Sequence, residues 1–567
     1  MEMMNVGCPV SLAVARLRLF LAQSCGKCVP CREGLRQLLE MLERLADYEG
    51  FGDAPVSPDA IEKLAKTVYD SADCAIGFEA AKMVLDSLAE HRADYASHAE
   101  KGLCTLEPAK VPCQAGCPAH VNVPGYIALA GAGRYADAVR VIREENPFPS
   151  ACGLICEHPC EKVCRRNLVD DAVNIRGLKR FAVEKAGEVP PPKSAPKNGK
   201  RVGVVGGGPA GLTAAYYLSL AGFDVTVFEQ REKLGGMLRY GIPMYRLPDA
   251  DLDRDINAIL ATGVNVKTGV AVGTDISFAD FRKDFDAVYL TIGAHGAKSL
   301  RLEGEDADGV LSAVALLRNP QGFDLAGKRV VVVGGGNVAM DATRTARRLG
   351  AATVTCVYRR RIVDMTALPD EVAGAQAEGC EIVQLKAPVR IAVENGCVVG
   401  LVVKPQIVGE IKNGRPAPVN ANAPEETVPC DIVIGAIGQK VDATGLDLTA
   451  GDGVFVGGDC DYGPATVVRA IAAGKEAAEK IAEALGMRDE GWGMRDEIEI
   501  PAPGIPRLHW GRVNFEERAA AERRGDFGLM ERRMTDEEAA QECTRCLRCD
   551  RCGYGAVGKW GSGEVGK

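Results

Sequence analysis

Two glycine-rich turns and several bunched sets of cysteines are the residues of this chain whose type and spacing can do chemistry. The first turn follows the β-branched run Val202 to Val205, where Gly206, Gly208 and Gly211 stand in the spacing G-x-G-x-x-G. In that spacing the first glycine makes a tight turn, the second lets the backbone approach a pyrophosphate, and the third lets the next helix pack against its strand. The start of that helix presents N–H groups to phosphate. A second strand, Val225 to Phe228, ends at Glu229, placed to accept hydrogen bonds from ribose hydroxyls. The other turn repeats the pattern after Lys328 to Val333, with Gly334, Gly336 and, in third place, Ala339. Its following strand, Thr353 to Tyr358, ends in Arg359, Arg360 and Arg361 instead of an acid. A carboxylate repels a ribose 2′-phosphate, whereas guanidinium groups bind it through charge-assisted, often bidentate hydrogen bonds. The second turn is therefore expected to take NADPH, and the first, of opposite ribose chemistry, is better suited to FAD.

The chain carries 21 cysteines. In a short secreted protein such a count points to disulfides. Here the chain has 567 residues and its cysteines are bunched, which points to metal or cluster ligands in a reducing compartment. The run CGKCVPC supplies Cys25, Cys28 and Cys31, with Cys74 the nearest remote partner. Two-residue gaps let successive thiolates cap three corners of a cubane while a remote cysteine closes the fourth. Four thiolates also suit tetrahedral zinc, but three cysteines at successive two-residue gaps favour the cubane. A middle set comprises Cys104, Cys113, Cys117, Cys152, Cys156, Cys160 and Cys164. The run CTRCLRCDRC near the end gives Cys543, Cys546, Cys549 and Cys552, a spacing that suits either a cubane or a zinc knuckle. Cys356, Cys380, Cys397, Cys430 and Cys460 stand alone and read as small buried hydrophobes.

These groups must be positioned by several domains, since 567 residues exceed one core. Leu35, Leu38, Leu39, Leu42 and Leu45 recur at helical spacing, and a further amphipathic run covers Ala80 to His91, so the first hundred residues are expected to be helical. A second helical region runs from Gly102 to about Glu188 and closes in the linker GEVPPPKSAPKNGK. From Arg201 strands and helices alternate, which implies a mostly parallel sheet covered on both faces. Three further runs read as strands ending in small residues or an acid: Ala287 to Ala294, Ile432 to Gln439, and Gly453 to Asp459. After the last, the segment from Gly463 would aim a helix N-terminus at the flavin ring. The net charge is −9 with acids and bases mixed, so no basic face for nucleic acid is implied. No apolar run of about 18 residues occurs and the start lacks a signal-peptide pattern. The expectation is a cytoplasmic protein with no membrane span.

Residues from about 102 to 486 resemble the small, NADPH-oxidising subunit of glutamate synthase and the related N-terminal part of dihydropyrimidine dehydrogenase. The stretches that carry the resemblance are PCQAGCP, CGLICEHPCEKVC, NIRGLKRFA, GGGPAGL, KLGGMLRYGIPMYRLP, GGGNVAMDATRTARRLGA, VYRRR and GVFVGGDC. The resemblance implies FAD on Gly206, Gly208, Gly211, Glu229, Gly236 and Asp459, and NADPH on Gly334, Gly336, Ala339, Arg359 and Arg360. Arg246, within KLGGMLRYGIPMYRLP, and Thr466, at the head of the last helix, complete the expected cofactor-binding set. It further implies two cubanes with crossed ligation, Cys104, Cys113 and Cys164 in one and Cys117, Cys156 and Cys160 in the other. The chain departs from that pattern in having one cysteine where the family has two before PCQAGC, and Lys179 where relatives offer a Gln or Glu ligand; Cys152 is a candidate replacement. SCGKCVPCREG with the later CAIG resembles the cluster-bearing C-terminal domain of the NADH-oxidising flavin subunit of respiratory complex I, without that family's FMN- and NADH-binding part.

The expected fold is α/β, with a FAD domain interrupted by an NADPH domain. The expected boundaries are 1–100 and 101–198 for two helical cluster domains, 199–321 and 431–486 for the FAD domain, 322–430 for the NADPH domain, and 487–567 for a cysteine-rich tail. NADPH delivers two electrons as a hydride whereas a cubane accepts one, and FAD converts between them, so no catalytic side chain is required. The chain is expected to be an electron-transfer subunit with FAD, NADPH and three to four [4Fe-4S] clusters. It would exchange electrons in either direction with a partner such as a hydrogenase, formate dehydrogenase or ferredoxin, with bifurcation open. A glutamate-forming partner and a non-catalytic relay are the alternatives. A disulfide reductase would need a C-x-x-C beside the flavin, and 201–486 contains none.

Overall fold

Leu35, Leu38 and Leu42 line one face of a helix and are fully buried, so the three-and-four spacing seen in the sequence becomes the core of a helical unit. The computed structural model describes residues 8–46, 56–101, 111–412, 415–487, 498–501 and 511–550. Two units divide the described residues, those of Met1–Ala115 and Leu547–Lys567 in the first and those of Gly116–Ala502 and Arg507–Cys546 in the second. The larger helices of the first unit are α1 (Pro9–Gln23), α2 (Leu35–Ala46), α3 (Pro58–Ser71), α4 (Ala75–Glu90) and α5 (Arg92–Lys101). Leu17, Ile61, Ala65 and Val84 complete its core. A π-helical turn, Pro30–Gly34, joins α2, and the Ser57 hydroxyl caps α3 by accepting the Ala60 N–H at 3.1 Å.

The second unit opens with the helices Val123–Gly131, Tyr135–Arg143, Pro149–Ile155 and Ile175–Ala186. Strands follow as β1 (Arg201–Val205), β2 (Asp224–Glu229), β3 (Asn265–Thr268), β4 (Ala287–Leu290), β5 (Gly296–Ala297), β6 (Val310–Ser312), β7 (Arg329–Val333), β8 (Thr353–Tyr358) and β9 (Glu381–Gln384). They continue as β10 (Lys386–Glu394), β11 (Cys397–Lys412), β12 (Arg415–Asn420), β13 (Glu426–Pro429), β14 (Ile432–Gly435), β15 (Gln439–Lys440) and β16 (Val454–Val456). Two parallel five-stranded sheets result, ordered β16-β4-β1-β2-β3 and β6-β14-β7-β8-β9. Both central strands are β-branched because both of their faces are covered. The fold is α/β, with one Rossmann-like domain set inside another.

The sheets correct the expected boundaries. Placing the crossings at 321/322 and 430/431 puts β6 and β14 with FAD, yet both strands lie in the second sheet, β14 between β6 and β7. An apolar run of three or four residues carries no mark of which sheet it joins. The crossings are the segments holding the small antiparallel pair β5–β15, with Gln439 opposite Ala297. A second difference is an antiparallel sheet of β10 to β13 inserted in the inner domain. Its β10–β11 hairpin turns at Asn395 and Gly396, both at positive φ, a two-residue signal present in the sequence.

The tail packs back onto the second unit. Glu542 accepts the backbone N–H groups of Asn174 at 2.7 Å and Val513 at 2.8 Å, and Arg176 pairs with Glu531 at 2.8 Å. The helix Asp536–Thr544 starts on a capping box of Thr535 and Glu538. Among the described residues no helix is long and apolar enough to cross a membrane.

Candidate functional site

The first sheet runs from β1 outward to β2 and β3, then crosses back to place β4 on the other side of β1. A crevice therefore opens at the carboxyl ends of β1 and β4, the switch point at which open α/β sheets bind ligands. There the structure has a cavity of about 510 Å³, lined by Gly206, Gly208, Glu229, Gly236 and Asp459 among others. That volume lies within the usual range for small-molecule sites.

The glycines are demanded by contact. A Cβ on Gly206, whose φ is +115°, would lie 2.3 Å from the Thr291 carbonyl oxygen, across the switch point. One on Gly236 would meet the Gly208 Cα at 2.7 Å, so these two glycines lie back to back where a pyrophosphate can pass. Gly211 does not line the cavity; a Cβ there would meet the Gly206 carbonyl oxygen at 2.0 Å, which gives it the packing role. Glu229 is buried, and its carboxylate accepts the N–H of Gly207 at 2.8 Å and of Arg231 at 2.9 Å. Its remaining lone pairs are available to a ribose.

Asp459 follows β16, and its Oδ1 accepts the Ala465 N–H at 3.2 Å. Burial pushes its carboxyl up to about 6. Thr466 is the N-cap of the helix Val467–Ala484 and makes no side-chain cap, while Ala470 in that helix lines the cavity. Arg246 is placed differently from expectation. Its guanidinium reaches Asp341 and Glu371, each at 2.9 Å, and it is not among the cavity-lining residues. The loop that carries it packs on the helix of the second turn, so the arginine ties two domains together.

His295, Arg231 and Arg318 line the cavity without having been expected. Burial, with both arginines nearby, pulls His295 down to about 4, so its ring is neutral near pH 7. Arg231 has only protons to offer and lies 3.3 Å from Nδ1, which places the ring proton on Nε2. No short motif marks this histidine; it follows β4, and only the sheet order brings it to the crevice.

At the second turn a Cβ on Gly334 would meet the Ala436 carbonyl oxygen at 2.4 Å, and the Ala339 Cβ fits 3.1 Å from that same point. Asn337, at the start of the helix Asn337–Arg348, donates to Glu157 at 2.7 Å. Beyond β8, Arg359 is exposed and Arg360 donates from Nε to the Pro416 carbonyl at 2.9 Å. Arg361 is held by Asp364 at 2.8 Å.

In the first unit Cys31 is buried in the π-helical turn, Cys28 is half-buried and Cys25 and Cys74 are exposed. Burial first, and then the neighbouring Cys28 thiol, push Cys31 up to about 11. Cys74 is the N-cap residue of α4, and a Cβ on Gly77 would meet the Cys31 sulfur at 2.8 Å. In the second unit Lys179 is buried, and the charges facing it are the thiols of Cys152, Cys156, Cys117 and Cys160. A buried ammonium needs an anionic counterpart, which a thiolate-ligated cluster supplies. Cys152 and Cys156 share a side-chain hydrogen bond, which raises the Cys152 thiol and lowers that of Cys156. Cys164 is half-buried in the second unit and Cys113 half-buried in the first. Cys543 and Cys546 are half-buried in the second unit and Cys549 in the first, whereas Cys104 and Cys552 lie outside the described residues. Of the solitary cysteines, Cys356, Cys380, Cys430 and Cys460 are buried as expected. Cys397 is exposed, because it opens β11 at the hairpin turn.

Three families cover most of the chain. Residues 12–98 match the NADH-ubiquinone oxidoreductase-F iron–sulfur binding region, 85–189 match dihydropyrimidine dehydrogenase domain II with its 4Fe-4S cluster, and 200–474 match pyridine nucleotide-disulphide oxidoreductase. The NADPH glutamate synthase small chain of Escherichia coli is 34% identical, covering 65% of this chain and 87% of its own length. The chain belongs to the glutamate synthase small-chain family of NADPH–FAD iron–sulfur oxidoreductases. It is an NADPH-dependent oxidoreductase whose cofactors are FAD, NADP(H) and [4Fe-4S] clusters, and the NADH-oxidoreductase-type cluster domain is added at its N-terminal side. Similarity over nearly the whole chain is found with the β subunit of NADP⁺-dependent formate dehydrogenase from Moorella thermoacetica, 34% identical over 90% of this chain and 86% of the relative. The β subunit of NADPH-Fe(3+) oxidoreductase from Geobacter sulfurreducens is 34% identical over 96% and 90%.

Proposed function

We propose that this chain exchanges a hydride between NADP(H) and FAD and relays single electrons through its clusters to or from a separate redox subunit. The observation that carries this reading is the contact of Glu157, next to Cys156, with Asn337 at the head of the second dinucleotide helix. It ties the cluster loop to the nucleotide turn within one unit. In this reading Gly206, Gly208, Gly236, Glu229 and Asp459 hold FAD in the cavity at the switch point, with Gly211 packing the helix and Thr466 heading the helix toward the ring. Gly334, Gly336 and Ala339 seat NADPH, and Arg359 and Arg360 hold its 2′-phosphate. Cys25, Cys28, Cys31 and Cys74 hold one cluster, and Cys117, Cys156 and Cys160 three corners of another. When bound, FAD supplies the conversion between one hydride and two single electrons.

The protein's own residues orient and exclude. The back-to-back glycines fix the pyrophosphate path, neutral His295 offers an Nε2–H to the cavity, and the Arg246 ion pairs fix the nucleotide helix against the flavin segment. The partner is read as a formate dehydrogenase or metal-reducing type of subunit in preference to a glutamate-forming one. The β subunits of those relatives align with 90% and 96% of this chain, whereas the glutamate synthase small chain aligns with 65% of it. Electron flow in either direction, and its splitting between two acceptors, are compatible with this arrangement. Anaerobic purification with partners retained, followed by subunit identification and iron and flavin quantitation, tests the proposal. A co-purifying redox subunit is expected. A chain that isolates alone and passes no electrons from NADPH to a separate redox subunit contradicts it.

A further inference from the structure

We propose that Cys8, Asp94 and His98 form a mononuclear zinc site that joins the start of α1 to α5, separate from the iron–sulfur ligands. Cys8 is the N-cap residue of α1, with Pro9 behind it, and Asp94 and His98 stand four apart on one face of α5. All three side chains are buried, with exposures of 4%, 3% and 7%. The Cys8 sulfur lies 3.1 Å from His98 Nε2, and that nitrogen lies 3.7 Å from Asp94 Oδ2. Among the described residues this is the one group of three or more such side chains whose ligand atoms all lie within 4.8 Å of one another.

The separations fit a metal. Zinc bonds of about 2.3 Å to sulfur and 2.0–2.2 Å to nitrogen and oxygen, at tetrahedral angles, put S and N about 3.6 Å apart and N and O about 3.4 Å apart. The observed distances differ from those by about 0.5 Å for sulfur to nitrogen and about 0.3 Å for nitrogen to oxygen. One thiolate, one imidazole and one carboxylate form a borderline-soft donor set, suited to zinc and unlike the all-thiolate set of a cubane. A catalytic role for Cys8 is disfavoured by its burial, since reactive cysteines need access.

The test is zinc and iron quantitation by mass spectrometry on the full chain purified anaerobically, beside Cys8→Ser. Because the cysteines from Cys543 onward are another zinc candidate, the difference between the two proteins is the readout. The variant is expected to lose about one zinc per chain while iron and flavin stay unchanged. Equal zinc in both, or none in the parent, overturns the site. Should Cys8→Ser fail to accumulate, cobalt(II) loading of the parent and of Asp94→Asn reads the same site. A thiolate-to-cobalt absorption whose ligand-field bands shift in Asp94→Asn supports it, and identical spectra overturn it.

Discussion

Arg246 lies 2.9 Å from Asp341, its guanidinium bridging the FAD segment to the helix of the second dinucleotide turn, and reaches Glu371 at the same distance. The side chains are nearly buried, at 10%, 5% and 9% exposure. Arg246→Ala leaves buried Asp341 without its paired cation, while Glu371 keeps Arg344 at 2.8 Å; removing one partner of such a pair costs about 3–5 kcal/mol. Thermal unfolding of the flavin-loaded protein is expected to show a lowered Tm. Arg246→Lys, which keeps the charge but not the fork, should recover part of it. A Tm unchanged in Arg246→Ala contradicts a coupling role.

Nucleotide choice is assigned to the end of β8. Replacing Arg359 and Arg360 together by Glu removes two charge-assisted partners of a 2′-phosphate, each contributing about 1.5–3 kcal/mol. Expected is a fall of roughly 100-fold or more in kcat/KM for NADPH with little change for NADH. Steady-state reduction of an artificial acceptor measures it, and an equal fall for both nucleotides would count against the assignment. Arg361→Ala should change preference less, because that side chain is held by Asp364.

Asp459 predicts a pH dependence. Burial raises its carboxyl to about 6, whereas an unfolded aspartate titrates near 4. The folded chain then binds the proton more tightly, so the stability of the flavin-free protein declines as pH rises from about 4 through 6 and stays lower above. Asp459→Asn removes that loss. Urea unfolding of the flavin-free proteins should find the variant more stable by roughly 1–2 kcal/mol near neutral pH and equal near pH 4, while its FAD affinity drops. A variant less stable at neutral pH would show that the carboxylate is held favourably.

Lys179 faces the thiols of Cys117, Cys152, Cys156 and Cys160. One charge at about 6 Å in a medium of effective dielectric about 20 contributes about 3 kcal/mol, of order 100 mV for a one-electron couple. Lys179→Met is expected to lower the midpoint potential of one cluster by about that much, read by redox titration with electron paramagnetic resonance. Unmoved potentials would show that no cluster lies beside the ammonium.

The two dinucleotide turns were legible because each is local: strand, glycines, helix and the next strand's last residue lie within about 30 residues. Glu229 and Arg359 could thus be placed from sequence, and β8 begins and ends where its β-branched run does. What was not legible depends on long-range pairing. β14 joins the inner sheet because β6 and β7 flank it, and His295 reaches the crevice because β4 lies beside β1. Arg246 and Asp341 are 95 residues apart and Cys8 and His98 are 90 apart, with no spacing to join either pair.

The central claim is that hydride from NADPH enters at FAD and leaves as single electrons through the clusters. Anaerobic rapid mixing of the full protein with NADPH, followed by absorbance and by freeze-quenched electron paramagnetic resonance, tests it most directly. The expected result is loss of the flavin band followed by the appearance of reduced-cluster signals. A flavin band that persists under excess NADPH, or clusters that remain oxidised after the flavin has been reduced, would contradict it.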